Sequence, residues 1–358
     1  MSAISRRQLL SGAAVLGLST VLPACSTTSE SRVSFLNWQD YIDPTLLTDF
    51  TAKSGLTVGY ETYASNDALF ERLIAAGVTR KGGRKTTTFD LIVPSENLFR
   101  RLRNADALQT LDSTVVTEAL LGSLLPEMRS LPADPGNRYS VPWAIGMTGI
   151  GYDTSVFPEP PAWDVFLDAA HAGKMSLLDE RREAFAAALF SLGQSPNATD
   201  AATITAAKDQ LGKMKANVSF NSETYLDDLA SGKLVAAQAF NTDVLQARRK
   251  NPKLAFVVPK AGGTRWVDLL CIPADAPNSA GANKLIAFYL DPKVSAANAT
   301  YNLVATGNLA ARAFVPKEVL DDPAVYPSDE VAKTLVFLED LGESEALYDT
   351  AWEALKKA

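Results

Sequence analysis

Histidine and cysteine are scarce in this sequence, which has one His and two Cys in 358 residues. His171 alone cannot build a zinc site from the usual His and Cys ligands. Cys25 lies in an N-terminal segment that we expect to be processed. Cys271 lies in the apolar run 269–272, where a small buried side chain is typical. We therefore predict no metal site, no cofactor and no intramolecular disulfide.

Sequence motifs of the common enzyme classes are also missing. The chain has no Gly-x-Ser-x-Gly nucleophile turn, no Gly-x4-Gly-Lys-Ser/Thr phosphate loop and no Gly-x-Gly-x-x-Gly dinucleotide fingerprint. A secreted hydrolase that uses paired carboxylates stays open as an alternative, because such pairs have no sequence signature. We predict that the protein is not an enzyme.

Basic residues are fewer than acidic ones: the chain has 34 Lys and Arg and 41 Asp and Glu, which gives a net charge of -7. Arg6 and Arg7 belong to the segment that we expect to be removed, so the mature chain would carry 32 basic residues against 41 acidic ones, or -9. Nucleic acids and anionic membranes need clustered basic residues. This balance therefore excludes nucleic acid as a partner and suits a small cationic ligand.

Long apolar runs are absent as well. The N-terminal run that follows Arg6 and Arg7 has about fourteen residues, short of the roughly twenty needed to cross a bilayer. The paired arginines resemble a twin-arginine signal, and the sequence LPAC at 22–25 resembles a lipobox with Cys25 as the acylated residue. We predict an export signal over 1–24, a lipid-anchor tether over 25–32, and location in the periplasm or at the cell surface. The alternative is a plain signal cut near Ala24.

Strand and helix patterns alternate along the rest of the chain, which predicts an α/β fold. With 47% apolar and 21% charged residues, the composition is that of an ordinary globular protein, and the length favours two lobes with a cleft between them. We place the export segments as above, lobe 1 at 33–143 plus 267–306, and lobe 2 at 144–266 plus 307–358. We expect a monomer with chain crossings near Trp143, Gly263 and Gly307.

The periodicity predicts these elements. Strands are expected at 33–36, 56–60, 89–95, 139–146, 234–239, 254–258 and 266–272, and helices at 44–53, 66–76 (capped by Asn66), 201–214, 243–250, 280–290, 293–301 and from 328 onward.

Carboxylates are clustered at three expected strand ends or loops, at 37–41, 179–183 and 265–268, and aromatic rings accompany them in the first and the third. Trp266 and Asp268 are two residues apart and so point to the same side of a strand. Each cluster alone is ambiguous, because a Trp is as often core as ligand wall, and a Glu at a helix start is usually solvated.

Together the clusters favour a linear diamine or polyamine. An ammonium taken out of water needs a carboxylate partner, and an aromatic face adds about 0.5 to 2 kcal/mol by cation-π attraction while covering methylenes. Acids at the ends and rings in the middle match a chain of methylenes with a charge at each end.

Five segments resemble, in order, those of the bacterial spermidine/putrescine-binding proteins of ABC importers: NWQDY at 37–41, DLIVPS at 90–95, YSVP at 139–142, GGTRWVD at 262–268 and NLAAR at 308–312. The similarity runs from Val33 to the C-terminus. It implies a two-lobed periplasmic binding protein fold of type II, each lobe a mixed sheet flanked by helices, with the ligand in the interlobe cleft. It also implies docking on an inner-membrane permease with its ATPase.

The resemblance carries over to the ligand-binding positions residue by residue. Seven positions match the family's binding residues in type: Trp38, Asp40, Tyr41, Ser95, Glu183, Trp266 and Asp268. Glu180 keeps the charge where relatives commonly have Asp, Phe240 stands where a tryptophan is usual, and Asp243, three residues further on, has a spacing that resembles the putrescine-type members. Three positions depart from the family pattern: Asn97 and Val304 stand where aromatic rings are usual, and Leu338 replaces an amide. With fewer rings, the site binds the long methylene chain of a polyamine more weakly, so an amino acid or an opine-like compound remains an alternative ligand.

Overall fold

The structure is a computed structural model that describes residues 31–39, 41–63, 65–76 and 88–357. The predicted export signal, Cys25 and Asp40 lie outside the described residues. Within the described ranges, no helix combines the length and apolarity that a membrane crossing requires.

Ten strands form one mixed sheet. They are β1 Arg32–Trp38, β2 Thr57–Tyr63, β3 Leu91–Ile92, β4 Ser140–Asp153, β5 Met175–Leu177, β6 Val218–Phe220, β7 Ala236–Phe240, β8 Leu254–Val257, β9 Gly263–Cys271 and β10 Leu335–Phe337.

Helices cover the sheet. They are α1 Pro44–Ser54, α2 Asn66–Ala75, α3 Glu96–Asn104, α4 Glu118–Leu121, α5 Pro126–Arg129, α6 Arg181–Ser191, α7 Ala201–Lys215, α8 Tyr225–Ala230, α9 Asn241–Lys250, α10 Ser279–Tyr289, α11 Pro292–Asn302, α12 Lys317–Leu320, α13 Asp329–Ala332 and α14 Glu345–Lys357. Short 3₁₀ turns lie at Trp163–Leu167, Ala169–His171, Leu309–Phe314 and Gly342–Ser344.

The strand order is β2-β1-β3-β9-β4-β7-β5-β6, with β10 beside β9 and β8 beside β4. Pairing is parallel between β1 and both β2 and β3, and among β5, β6 and β7, whereas β9 and β4 run antiparallel to each other and to their neighbours β3 and β7. The sheet is therefore mixed, and the predicted α/β fold class is confirmed.

The long strand β4, which pairs with β9, connects the two largest of the three hydrophobic clusters among the described residues. In β4, Val141 and Ile145 pack in the first core, which is built around β1 and β3, whereas Ile150 and Tyr152 pack in the second core around β5 and α6. The register of β4 against β9 shifts between Pro142 and Ala144, which marks a bulge at Trp143. The middle of these strands is thus the junction between the cores.

The domain boundaries stay a prediction. Five side chains in the stretch from Ala311 to Val325 pack in the first core, although this stretch was predicted to belong to lobe 2.

One predicted helix cap is wrong. The N-cap of α2 is Ser65, whose hydroxyl accepts from the Ala68 amide, and not Asn66. Asn66 uses its side chain elsewhere, at Ser95.

Candidate functional site

A row of three side chains along β9 forms the centre of the site. Thr264, Trp266 and Asp268 are each two residues apart and therefore share one face of the strand. The Cα atoms of Thr264 and Asp268 are about 13 Å apart at the usual rise per residue. Each end of the row meets a different set of partners.

Asp268 forms one end of the row and is only 5% exposed. Its Oδ2 accepts a 2.9 Å hydrogen bond from the Tyr41 hydroxyl, and its backbone bridges that of Ser95. Burial raises the pKa of Asp268 to about 7, while hydrogen bonds from the Ser95 and Tyr41 side chains oppose the shift. A buried carboxylate held by two neutral donors lacks a positive partner, which an ammonium would supply.

Ser95 is held in place by a residue that the sequence analysis did not place in the site. Asn66, at the start of α2, donates from Nδ2 to the Ser95 hydroxyl at 3.0 Å and accepts from the Ser95 amide at 3.2 Å. Ser95 is the N-cap residue of α3. The amide of Asn66 thus joins the starts of two helices next to Asp268.

Trp38 is positioned by Val93 and Tyr63. Its Nε1 donates to the Val93 carbonyl at 2.9 Å, and the Tyr63 hydroxyl donates to the same oxygen. The rings of Trp38 and Tyr63 lie 4.8 Å apart at 51°. Trp38 is half-buried at the end of β1, so part of its ring is open to a ligand.

Glu183 forms the other end of the row. It lies in the first turn of α6, is 7% exposed, and accepts from the Thr264 hydroxyl at 3.0 Å on each carboxylate oxygen. Burial and the nearby charge of Glu180 raise the pKa of Glu183 to about 8, against the opposing effects of Thr264, Thr148 and Arg182. Glu180 is the half-buried N-cap residue of the same helix.

Asp243 adds a further carboxylate from the first turn of α9. Tyr225, another residue that the sequence analysis missed, donates its hydroxyl to Asp243 Oδ2. Burial raises the pKa of Asp243. Burial raises the pKa of Tyr41 most, and the charges of Asp268, which accepts its hydrogen bond, and of Asp243 raise it further.

Trp266 lies between the two ends, and its ring covers Gly146. A Cβ atom at Gly146 would be 1.8 Å from the Trp266 ring, so only glycine allows this packing. Phe240 meets the ring edge-to-face, with 6.0 Å between centroids at 89°. Trp266 is half-buried, and its Nε1 has no hydrogen-bond partner among the described residues.

The three positions that depart from the family pattern lie in different surroundings. Asn97 is exposed on α3, Val304 is buried in the first core beside a cavity of about 20 Å³, and Leu338 packs against the second core. None of them adds an aromatic face to the row along β9.

The scarce nucleophiles and metal ligands lie away from this row or inside the core. His171 pairs with Asp168 at 2.9 Å at the surface, and Cys271 is fully buried, which raises its pKa. Among the described residues, no three His, Cys, Asp or Glu side chains converge as a metal site would require.

Long strands join two hydrophobic cores, and carboxylates and aromatic rings lie around one row on β9. This arrangement defines a solute-binding protein of the periplasmic type. The model of the family described as bacterial extracellular solute-binding protein matches residues 45–327. The chain belongs to this family.

Named relatives agree along the whole chain. The spermidine/putrescine-binding periplasmic protein of Escherichia coli is 35% identical over 355 residues, covering 98% of each chain. The putrescine-binding periplasmic protein PotF of E. coli is 32% identical, with 95% of this chain and 94% of that protein covered. The substrate-binding protein PotD of a spermidine/putrescine ABC transporter from Streptococcus pneumoniae superposes with a TM-score of 0.80 at 30% identity, covering 91% of this chain and 99% of that chain.

These comparisons confirm the resemblance and the two-lobed α/β fold that the sequence predicted. They also confirm that the chain is a binding protein and not an enzyme, because the relatives are named as binding components of transporters.

Proposed function

We propose that this protein captures a small cationic amine of the putrescine/spermidine type, in the periplasm or at the cell surface, and delivers it to an inner-membrane ABC permease with its ATPase. The relatives' names support the class of ligand. The observation that carries the proposal for this chain is the row along β9, with the carboxylates of Asp268 and Glu183 at its ends and the ring of Trp266 between them.

The chemistry of the row fits a diammonium ligand. Each buried carboxyl group accepts hydrogen bonds from neutral hydroxyl groups, and an ammonium group would supply the positive partner for its ionised form. The Trp266 face covers methylenes and attracts the adjacent ammonium groups. In this proposal, Asp40, Glu180 and Asp243 add negative charge around the ammonium groups, and Trp38, Tyr41, Ser95 and Phe240 complete the walls.

The missing aromatic rings favour a short diamine over spermidine. Asn97 and Val304 stand where the family has rings, and a long spacer without them loses the apolar cover that it needs.

Calorimetry on the purified mature protein tests the ligand. We expect putrescine and cadaverine to bind at about micromolar affinity, about -8 kcal/mol, and more tightly than spermidine, arginine or an opine. Asp268→Asn should weaken putrescine binding at least tenfold without lowering the melting temperature of the ligand-free protein. Binding of putrescine that is unchanged in Asp268→Asn would remove this site from consideration. Chemical turnover of a bound compound would contradict a pure binding role.

We further propose that the mature protein is a monomer, exported through a twin-arginine signal and anchored by a lipid on Cys25. Mass spectrometry of the membrane-extracted protein checks this, since acylation adds the mass of the lipid to a chain that begins at Cys25. An unmodified chain that begins elsewhere would contradict the anchor, and light scattering reports the oligomeric state.

A further inference from the structure

Arg182 directly precedes Glu183 in α6 and is as deeply buried, at 7% exposed. Its guanidinium group donates to the carbonyl of Glu339 at 3.0 Å and to Oδ1 of Asn197 at 3.0 Å, and it stacks 5.0 Å over the ring of Tyr348. These contacts hold its guanidinium group against Asn197, Glu339 and Tyr348.

The carboxylate that balances Arg182 comes from the C-terminal helix. Glu345, the first residue of α14, accepts from Arg182 through Oε1 and from Arg181 at 2.5 Å through Oε2. Arg181 also pairs with Asp349 on the same helix. Two arginines at the start of α6 are thus matched by two acids of α14.

This arrangement determines the charge that a ligand meets at Glu183. The charged groups that act on the Glu183 carboxyl are Glu180, which raises its pKa, and Arg182, which lowers it, while Thr264 and Thr148 supply hydroxyl groups. With Arg182 engaged by Glu345, the Glu183 carboxylate keeps its charge for a cation. Without Glu345, a buried guanidinium next to Glu183 in the chain would be left uncompensated.

The same contacts also fix a second part of the site. Asn197, which accepts from Arg182, donates to the carbonyl of Phe337 at 2.8 Å and accepts from the amide of Glu339 at 3.0 Å. These two residues flank Leu338, one of the positions that depart from the family pattern. Arg182 therefore connects the Glu183 end of the row with the segment that carries Leu338.

We propose that Glu345 and Arg182 are positioning residues for ligand binding: the carboxylate of Glu345 on α14 holds the Arg182 guanidinium away from Glu183 and thereby preserves the negative end of the cleft that receives one ammonium group. This inference rests on the proposed function.

The test is putrescine calorimetry on Glu345→Gln between pH 6.5 and 8.5. Once Glu345 no longer balances Arg182, the guanidinium group offsets part of the charge of the ionised Glu183 carboxylate, so binding should weaken about tenfold at pH 8.5. The loss should shrink toward pH 6.5, because the uncompensated Arg182 also lowers the pKa of Glu183 and keeps it ionised. A general structural defect would weaken binding equally at every pH.

A double-mutant cycle tests whether the effect of Glu345 on binding depends on Glu183. If Glu345 acts through Arg182 on Glu183, Glu345→Gln should have no further effect on putrescine affinity in a Glu183→Gln background. Glu345→Asp should restore part of the affinity. Glu353→Gln, which removes the exposed 3.2 Å ion pair to Lys357 on the same helix, is the matched control and should bind like wild type.

Three outcomes overturn the inference: unchanged affinity in Glu345→Gln, a loss that is equal at all pH values, or an equal loss in the Glu183→Gln background. Wild-type protein that binds no diamine would instead contradict the proposed function. In that case the pH dependence of ligand-free stability still tests the inference, since Glu345→Gln should shift the Glu183-dependent part of the profile to lower pH.

Discussion

The hydroxyl of Tyr41 donates a 2.9 Å hydrogen bond to the buried carboxylate of Asp268, across 227 positions of the chain. Tyr41 lies in the loop after β1, and Asp268 lies near the end of β9. The ring of Tyr41 rests near Trp143, with 6.5 Å between centroids, at the bulge of the strand that joins the two cores. The contact therefore links the anchoring carboxylate to the junction of the fold.

We expect Tyr41→Phe to weaken putrescine binding about tenfold at pH 7. The change removes a hydrogen bond to an ionised carboxylate, which contributes about 1.5 kcal/mol, and so raises the pKa of Asp268 further. Calorimetry measures the loss. Tyr348→Phe, which removes a 2.7 Å hydrogen bond to the Ala198 carbonyl in the second core, is the matched control for stability. Equal affinity of Tyr41→Phe and wild type would mean that this contact does not support binding.

Gly146→Ala should disrupt the site without changing any charged group. The new Cβ would lie 1.8 Å from the Trp266 ring and would force this ring out of its packing against the strand. Overpacking of this kind costs about 1 to 3 kcal/mol, and we expect putrescine affinity to fall by more than tenfold with altered tryptophan fluorescence. Gly212→Ala, where nothing lies within 4 Å of the added atom, should keep wild-type affinity. A Gly146→Ala protein with wild-type affinity and fluorescence would contradict this placement of Trp266.

Binding should strengthen as pH rises from 6 to 8.5. Burial raises the pKa of Asp268 to about 7 and that of Glu183 to about 8, so both carboxyls hold protons at pH 6 that a bound diammonium must displace. Affinity should fall about tenfold per pH unit below pH 7 for each proton released. Calorimetry in two buffers with different ionisation enthalpies counts these protons, and a proton count of zero at pH 6.5 would contradict the expectation.

The same groups give the ligand-free protein the opposite dependence. Because their pKa values are raised on folding, the folded state holds protons that the unfolded state releases between about pH 4 and 8, so stability should fall as pH rises through this window. Thermal unfolding at several pH values measures the slope. Asp268→Asn should reduce it, and an unchanged slope in this variant would show that another group is responsible.

Local pattern was enough for several parts of the site. The two-residue period of a strand predicted that Trp266 and Asp268 share a face, and β9 has them so because alternate side chains point to opposite sides of a strand. The apolar run around Cys271 predicted a buried thiol, which the structure confirms. No helix was predicted over Glu96–Asn104, although Leu98, Phe99 and Leu102 give it a clear apolar face.

The sequence does not decide between neighbouring residues that give the same local signal. Ser65 and Asn66 are both good N-cap residues, and only the tertiary contact of Asn66 with Ser95 shows why Ser65 caps α2. In the same way, the stretch from Ala311 to Val325 has no local feature that assigns it to one core. It packs against the first core because the chain passes back to that core here.

The sequence by itself determined the α/β class, the family and the residue types of a cationic-ligand site, because these depend on periodicity and on side-chain chemistry. Tertiary structure alone decided that Tyr41 meets Asp268, that Glu183 meets Thr264, and that Tyr63, Asn66, Tyr225 and Arg182 support the site from behind. Most of these contacts join residues far apart in the chain, and Arg182, although adjacent to Glu183, acts through Glu345 of a distant helix. Folding brings such partners together because both cores pack against β4 and β9. No local sequence pattern encodes this packing.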